Sequence, residues 1–444
     1  MGSVWNETET MRSFGPLEQD CSVDVLVIGG GMAGVLTAYF LKEQGIDVAL
    51  CEAETIGGGT TQNTTAKITS QHGLCYAKLI ERFGERFAGF YLMANEEALK
   101  RYRSLCERID CDLETQPNYI YSLYSEEAIQ KELRALRRIG APAERVDTLP
   151  LPFDVAGAIR FSNQAQFHPM RFLNAISEGL PIYTHTRVRE LIRTQLGIAA
   201  VTNGGTVTAK RIVVATHFPF LNKHGFYFMK LYQHRSYVIA LENAEQLNGM
   251  YLDENPLGLS FRNYGNLLFI GGGSHRTGKP GEGVGQLRAY AERYYPNAPI
   301  RYEWAAQDCM SLDGVPYIGP YSSGTENLYV ATGFNKWGMT GSMVAATLLT
   351  DLILGRENPY AELFSPSRSM LRPALFQNAA EAVRGWLTPK APRCPHLGCA
   401  LEWNEAERTW DCPCHGSRFS EDGSLIDNPA TGDLKMNADR MNRS

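Results

Sequence analysis

The 444-residue chain has no long hydrophobic run. Its longest uncharged stretch, Val25–Leu41, contains four glycines and falls short of the roughly 20 apolar residues a membrane span needs. A buried strand, a turn and a helix fit it better. A basic balance is also missing. The 43 Lys and Arg against 48 Asp and Glu leave a net charge of -5, which argues against a nucleic-acid protein that works by neutralising phosphates. Residues 1–20 are polar and acidic, without the basic start and small-residue cleavage site of a signal peptide, so a cytoplasmic location is expected. No internal repeat, low-complexity stretch or charge block stands out. Cysteine is sparse over most of the chain: six of the ten are scattered before residue 394, which excludes a uniform disulfide scaffold. The other four, Cys394, Cys399, Cys412 and Cys414, crowd together near the end. That asymmetry points to an appended redox or metal module. What remains, 44% hydrophobic and 20% charged residues, is ordinary for a globular chain of two or three domains.

The first chemical signal spans residues 24–52, D-V-L-V-I-G-G-G-M-A-G-V-L-T-A-Y-F-L-K-E-Q-G-I-D-V-A-L-C-E. Val25–Ile28 reads as a central parallel strand. Gly29, Gly31 and Gly34 give G-x-G-x-x-G, with Met32 and Ala33 inside it, and an apolar helix follows as far as Gly45. A second strand then ends at Glu52. The glycines allow a tight turn, close approach of backbone to a pyrophosphate and helix-on-strand packing, while the helix start offers N–H groups to the phosphates. Glu52 is placed to accept a hydrogen bond from a ribose hydroxyl. The fingerprint alone suits FAD and NAD equally. No second strand-bound copy appears: the residues after Gly271–Gly273 do not open a helix, and Gly281, Gly283 and Gly285 lack a preceding strand. One dinucleotide site is the economical reading.

Over roughly residues 22–360 the chain resembles the D-amino-acid oxidase-like superfamily of FAD-dependent amine and amino-acid oxidoreductases. The likeness rests on Gly57–Lys67 (G-G-G-T-T-Q-N-T-T-A-K), Phe167–Leu173, Ile212–Thr216, Asp313–Gly319 (D-G-V-P-Y-I-G) and Leu328–Gly341 (L-Y-V-A-T-G-F-N-K-W-G-M-T-G). It implies FAD contacts from Thr60, Thr61, Thr65 and Lys67 in the first loop, from Val188 and Thr216, and from Gly333, Trp337, Gly338, Met339 and Thr340 in the C-terminal signature. His217 stands where the family has a glycine. The first loop has no histidine, and Cys309 is out of register with the cysteine that some relatives use for attachment, so non-covalent FAD is expected. No residue is assigned as catalytic, because the superfamily often needs no protein base. His72, Arg235, Tyr237, His275 and Arg276 are candidates for substrate contact or for packing.

The second signal is the tail. Cys394 and His396 form C-x-H, and Cys412 and His415 form C-x-x-H. Two thiolates and two imidazoles suit a two-iron cluster or a tetrahedral zinc. With Cys399 and Cys414, the H-G-S at residues 415–417 and D-N-P-A-T at 427–431, the segment resembles the Rieske [2Fe–2S] domain. The resemblance makes Cys394, His396, Cys412 and His415 the cluster ligands and pairs Cys399 with Cys414 in a disulfide. It gives Ser417 a hydrogen bond to a bridging sulfide. Phe419 stands where high-potential members have tyrosine, which implies a potential below theirs. Only about 30 residues separate the flavoprotein signature from these loops, so the family's base sheet is expected to be missing and the loops to rest on the flavoprotein.

The expected fold class is α/β and α+β. It comprises a Rossmann-like FAD-binding domain (22–76, 155–217 and 303–360) interleaved with a mixed-sheet substrate domain (77–154 and 218–302). An N-terminal extension (1–21), a helical linker (361–387) and a small all-β, truncated Rieske unit (388–444) complete it. Helices are expected at 80–108, 126–139 and 376–386, and strands at 236–241 and 266–270. The combined resemblance implies a dehydrogenase acting on an amine or amino-acid C–N bond, with an external one-electron carrier as partner. Operation in reverse from an external donor, or a non-catalytic redox sensor, are the alternatives.

Overall fold

The computed structural model describes residues 2–222, 224–370, 373–389 and 391–435. Its first sheet is built around Cys21–Ile28, an eight-residue strand whose second half is fully buried. It pairs in parallel with Thr206–Val214 on one side and Val48–Cys51 on the other. Leu328–Thr332 and Tyr317–Pro320 extend the sheet one way and Ile182–Tyr183 the other. A strand buried on both faces needs helices over it. Met32–Glu43 and Gly338–Ile353 supply them, packed against one another on the same side of the core.

The second sheet has nine strands, in the order Ile300–Ser311, Leu231–Glu242, Leu267–Arg276, Ser260–Tyr264, Met250–Asp253, Glu114–Ser122, Gly157–Gln166 and Lys67–Ile68, with Ala143–Val146 paired to Gly157–Gln166. Here the sequence boundaries need correction. Gly157–Gln166 and most of Ile300–Ser311, expected in the FAD-binding part, both pair in this sheet. Local residue pattern cannot say which of two sheets a buried strand joins. The third sheet is four short antiparallel strands, Glu402–Asn404, Thr409–Asp411, Arg418–Ser420 and Leu425–Asp427.

The helix expected over 80–108 is two helices, Tyr76–Phe83 and Glu85–Cys106. Gly84 separates them with φ 84, a left-handed conformation a helix interior does not tolerate. Glu126–Arg138 forms as expected, capped by Ser125, whose hydroxyl accepts from the Ala128 N–H at 3.1 Å. Pro373–Leu387 is the expected helix before the tail. The N-terminal segment is ordered: Trp5 is fully buried, and its indole N–H donates to the Thr64 carbonyl at 2.7 Å. Among the described residues, no helix is long and apolar enough to cross a membrane.

One buried ion pair ties the linker to the flavoprotein. Arg368 reaches Asp313 in bidentate geometry, both distances 3.0 Å, with its guanidinium 4.2 Å over the Tyr317 ring. Its remaining N–H groups go to the carbonyls of Leu363, Ser365, Val315 and Pro316. Arg368→Met strands the Asp313 carboxylate in the interior. Removing one partner of such a pair costs about 3–5 kcal/mol, so urea unfolding followed by tryptophan fluorescence should show a loss of that order. A loss below about 1 kcal/mol, the range of surface pairs, would contradict this reading.

Candidate functional site

Gly29 and Gly34 show why the fingerprint requires glycine. A Cβ on Gly34 would lie 1.9 Å from the Gly29 carbonyl oxygen, and one on Gly29 would lie 2.5 Å from the Ala215 carbonyl oxygen. The turn therefore presses against both its own helix and the neighbouring strand. Gly31 caps the helix Met32–Glu43 without a side chain, leaving the helix start facing a cavity of about 1140 Å³. Thr61 Oγ1 accepts the Met32 N–H at 3.1 Å, and Glu52 Oε2 accepts the Gly30 N–H at 2.6 Å. Burial pushes the Glu52 carboxyl upward, opposed by its hydrogen bonds from Glu54 and Gly30.

The cavity gathers nearly the whole expected cofactor set. Gly29, Gly31, Met32, Ala33, Glu52, Thr60, Thr61, Thr65, Lys67, Val188, Thr216, Trp337, Gly338 and Met339 all line it. Gly34, Gly333 and Thr340 lie behind its wall. Gly34 packs on Gly29, Gly333 approaches Leu231 and Ser311, and the Thr340 hydroxyl donates to the Thr69 carbonyl. A helix start that faces a cavity of this size fits a dinucleotide pyrophosphate. His72 stacks on Trp337, centroids 4.6 Å apart. Its Nε2–H donates to the Thr69 carbonyl, so Nδ1 accepts from the Tyr91 hydroxyl, and burial lowers its pKa to about 3. It is a neutral support for Trp337.

The tail forms two matching turns. Cys394 N–H donates to the Cys399 carbonyl, and Gly398 N–H returns to the Cys394 carbonyl. In the second turn, Cys412 N–H donates to the Ser417 carbonyl and Gly416 N–H returns to the Cys412 carbonyl. The thiols of Cys394 and Cys412 meet between the turns, and the rings of His396 and His415 sit 5.0 Å apart. Both imidazoles keep a buried Nδ1 without a hydrogen-bond partner. His396 Nε2 is engaged by the Asn222 amide oxygen at 2.8 Å, which puts the proton there and leaves Nδ1 as a lone pair. Burial holds both rings neutral. Two thiols and two unpartnered ring nitrogens fit a cluster with mixed sulfur and nitrogen ligands. Cys399 and Cys414 are brought together but remain free thiols, their sulfurs and that of Cys412 within 4.8 Å of one another.

The second turn is pressed onto the cavity wall. Gln233 Nε2 donates to the His415 carbonyl at 3.0 Å and the Asn428 carbonyl at 2.9 Å. Its Oε1 lies 3.1 Å from His217 Nε2, and His217 Nδ1 lies 3.4 Å from the Thr60 hydroxyl. Gln307 Nε2 donates to the Gly416 carbonyl at 2.8 Å. Asn428 returns an amide to the carbonyls of Thr216 and Phe218. His217 occupies its family glycine's place with φ 63; the ring contacts hold it there. Sequence reasoning singled out His217 only as a departure, held Asn428 only as part of D-N-P-A-T, and missed Gln233 and Gln307, which fall in no motif.

Arg235, Tyr237 and Arg276, candidates for substrate contact or packing, receive the tail, and Arg235 and Tyr237 also line the cavity. Arg235 and Arg418 close on Glu407, and the Tyr237 hydroxyl donates to Glu407 at 2.7 Å. Arg276 donates to the carbonyls of Pro413 and Cys414. His275 stacks on Tyr237. The helix Pro373–Leu387 covers the other side: a Cβ on Gly385 would lie 3.0 Å from Cys414 Sγ.

Cavity, glycine turn and paired Cys–His turns together define a flavoprotein carrying an iron–sulfur unit. Residues 24–352 match the family model described as FAD dependent oxidoreductase (DAO), and residues 384–437 match the Rieske [2Fe-2S] domain. The chain belongs to that oxidoreductase family, with a Rieske domain at its C-terminal end, and FAD and a [2Fe–2S] cluster are its cofactors. It is 35% identical to YhfW of Bacillus subtilis (strain 168), named as a putative Rieske 2Fe-2S iron-sulfur protein, over 98% of this chain and 97% of the relative. Gamma-glutamylputrescine oxidoreductase of Escherichia coli (strain K12) is 24% identical over 77% of this chain and 86% of its own. The crystal structure of glycine oxidase from Geobacillus kaustophilus superposes with a TM-score of 0.66 at 22% identity, covering 79% of this chain and 99% of that one.

Burial would raise the Glu407 carboxyl, but Arg418 and Arg235 override it and hold it at about 2, against an ordinary 4.5. A folded pKa below the unfolded value adds stability above pH 4.5 that is lost as pH falls toward 2. At 1.36 kcal/mol per unit this is about 3 kcal/mol. Glu407→Gln should therefore be less stable than wild type by about that amount at pH 7, and the gap should narrow as pH drops through 4.5. A gap that does not move with pH, measured by denaturant titration, would show that the charge does not dock the tail.

Proposed function

We propose that the chain is a dehydrogenase that oxidises a C–N bond of an amine or amino acid and passes the electrons singly, through its C-terminal unit, to an external carrier. When bound, FAD supplies two-electron hydride acceptance and the [2Fe–2S] cluster one-electron transfer. The observation that carries the reading is the shared wall. Thr60 of the FAD loop, His217, Gln233 and the backbone of His415 form one hydrogen-bonded chain.

The remaining residues prepare a site for a charged small molecule. Lys336 and Asp308 both line the cavity, Asp308 half-buried. Burial lowers the Lys336 pKa and raises that of Asp308, and each partly offsets the other's shift. Lys336 Nζ donates to the Ser274 hydroxyl at 2.8 Å. A cation and an anion on the wall of one cavity suit a zwitterion, whose carboxylate and ammonium need opposite partners. Lys67, brought down to about 7 by burial with Arg262 nearby, can hold or release a proton at Nζ near neutrality. Ile426 and Ala430 of the docked tail close part of the cavity against water. Similarity to a gamma-glutamylputrescine oxidoreductase and a glycine oxidase supports the same substrate class.

Cys412→Ser tests the assignment of roles. Under anaerobic conditions with an amine that bleaches wild-type flavin, the variant should bleach at a rate within about twofold of wild type, while acceptor reduction falls by about 100-fold or more, roughly 2.7 kcal/mol. Equal loss of both would overturn the proposed wiring. Absence of bleaching by every amine tried, with normal cluster reduction by a carrier, would favour a redox sensor.

A further inference from the structure

A second thiol pair lies far from the cluster in sequence and outside the cavity. Cys106 ends the helix Glu85–Cys106, and Cys111 follows four residues of turn later, before the strand Glu114–Ser122. Their sulfurs are 3.3 Å apart. Both line an open surface pocket together with Arg103, Arg108 and Asp110. Cys111 is buried and Cys106 is partly exposed.

The two sides of the pair are held differently. The Cys111 carbonyl accepts the His168 N–H at 2.7 Å, and the next residue, Asp112, is fixed by Arg171 at 2.8 Å and the Tyr264 hydroxyl at 2.7 Å. Cys106 sits at a helix end, where the last turn opens most readily. One sulfur is therefore anchored and the other is free to approach. Closing from 3.3 Å to the roughly 2.05 Å of a disulfide needs only a small movement.

We propose that Cys106 and Cys111 form a reversible dithiol–disulfide site that reacts with low-molecular-weight disulfides. The partly exposed Cys106, as thiolate, attacks one sulfur of the oxidant and releases one thiol. Cys111, on losing its proton, then attacks the Cys106 sulfur and expels the second. The balance is two protein thiols and one small disulfide going to one protein disulfide and two small thiols. The two electrons end on the small molecule, and no other acceptor takes part. The site also has a structural route to the cavity. The helix that Cys106 ends carries Tyr102, whose hydroxyl donates to the Met339 carbonyl at 2.9 Å, and Met339 lines the cavity. His168 caps the helix Pro169–Ile176, whose Met170 and Leu173 back the FAD loop at Gly57.

The holoprotein is incubated with oxidised glutathione, denatured in N-ethylmaleimide and digested with trypsin without reduction. Cleavage after Arg103, Arg108 and Lys131 places the two cysteines on separate peptides, 104–108 and 109–131. The expected product is these two peptides joined, two hydrogens lighter than their sum, and separated again by dithiothreitol. Cys106→Ser should give no joined product and leave Cys111 labelled. The proposal is overturned if wild-type Cys106 and Cys111 both carry label after oxidation, or if glutathione stays on Cys106 beside a labelled Cys111.

Discussion

The fold turns on one amide side chain. Gln233 stands on a strand of the second sheet and satisfies three groups at once: the His217 ring in the cavity wall and the carbonyls of His415 and Asn428 in the tail. A Cβ on Gly416 would lie 2.6 Å from Gln233 Cβ, so the cluster turn meets this residue with no room to spare. A buried amide must spend its donors and acceptor on fixed partners, because each one left unpaired costs about 1–3 kcal/mol. Register between cavity and cluster turn is thereby fixed to the geometry of one side chain.

The tail needs this support because it has almost no interior of its own. Its apolar cluster consists of Cys394, Cys399, Leu401, Cys412, Cys414, Phe419, Ala430 and Leu434, half of them cysteines. A core so small does not offset chain entropy unaided. Three external supports hold it: the Glu407 clamp with Arg235 and Tyr237, the Arg276 bonds to the second turn, and the helix at Gly385. Arg235, Tyr237 and Arg418 of the clamp also line the cavity. Stability of the cluster unit and seclusion of the flavin site are one structural solution.

Much of this was legible in the sequence. The glycine turn, the C-terminal signature and the Cys–His spacing each depend on short-range geometry, and fourteen of the seventeen expected cofactor residues line the cavity. The rest depends on distant chain segments. Gly84 broke a helix whose apolar period ran through it, because a single left-handed residue outweighs periodicity. Strands Gly157–Gln166 and Ile300–Ser311 could have joined either sheet. Arg235 and Tyr237 fall on a strand of the second sheet, which made them candidates for substrate contact, and they line the cavity. Their partner, Glu407, lies about 170 residues away in a segment whose own pattern announced only a cluster.

The central claim is that electrons cross from cavity to cluster within a single chain, over the wall where Gln233 meets the second turn. Rapid-freeze paramagnetic resonance after anaerobic mixing with a bleaching amine tests it directly. The account predicts a reduced-cluster signal that rises at one rate when protein concentration is varied tenfold, and reaches one spin per chain once a carrier-free sample has excess substrate. A rate proportional to protein concentration would mean that electrons pass between molecules, and would contradict it.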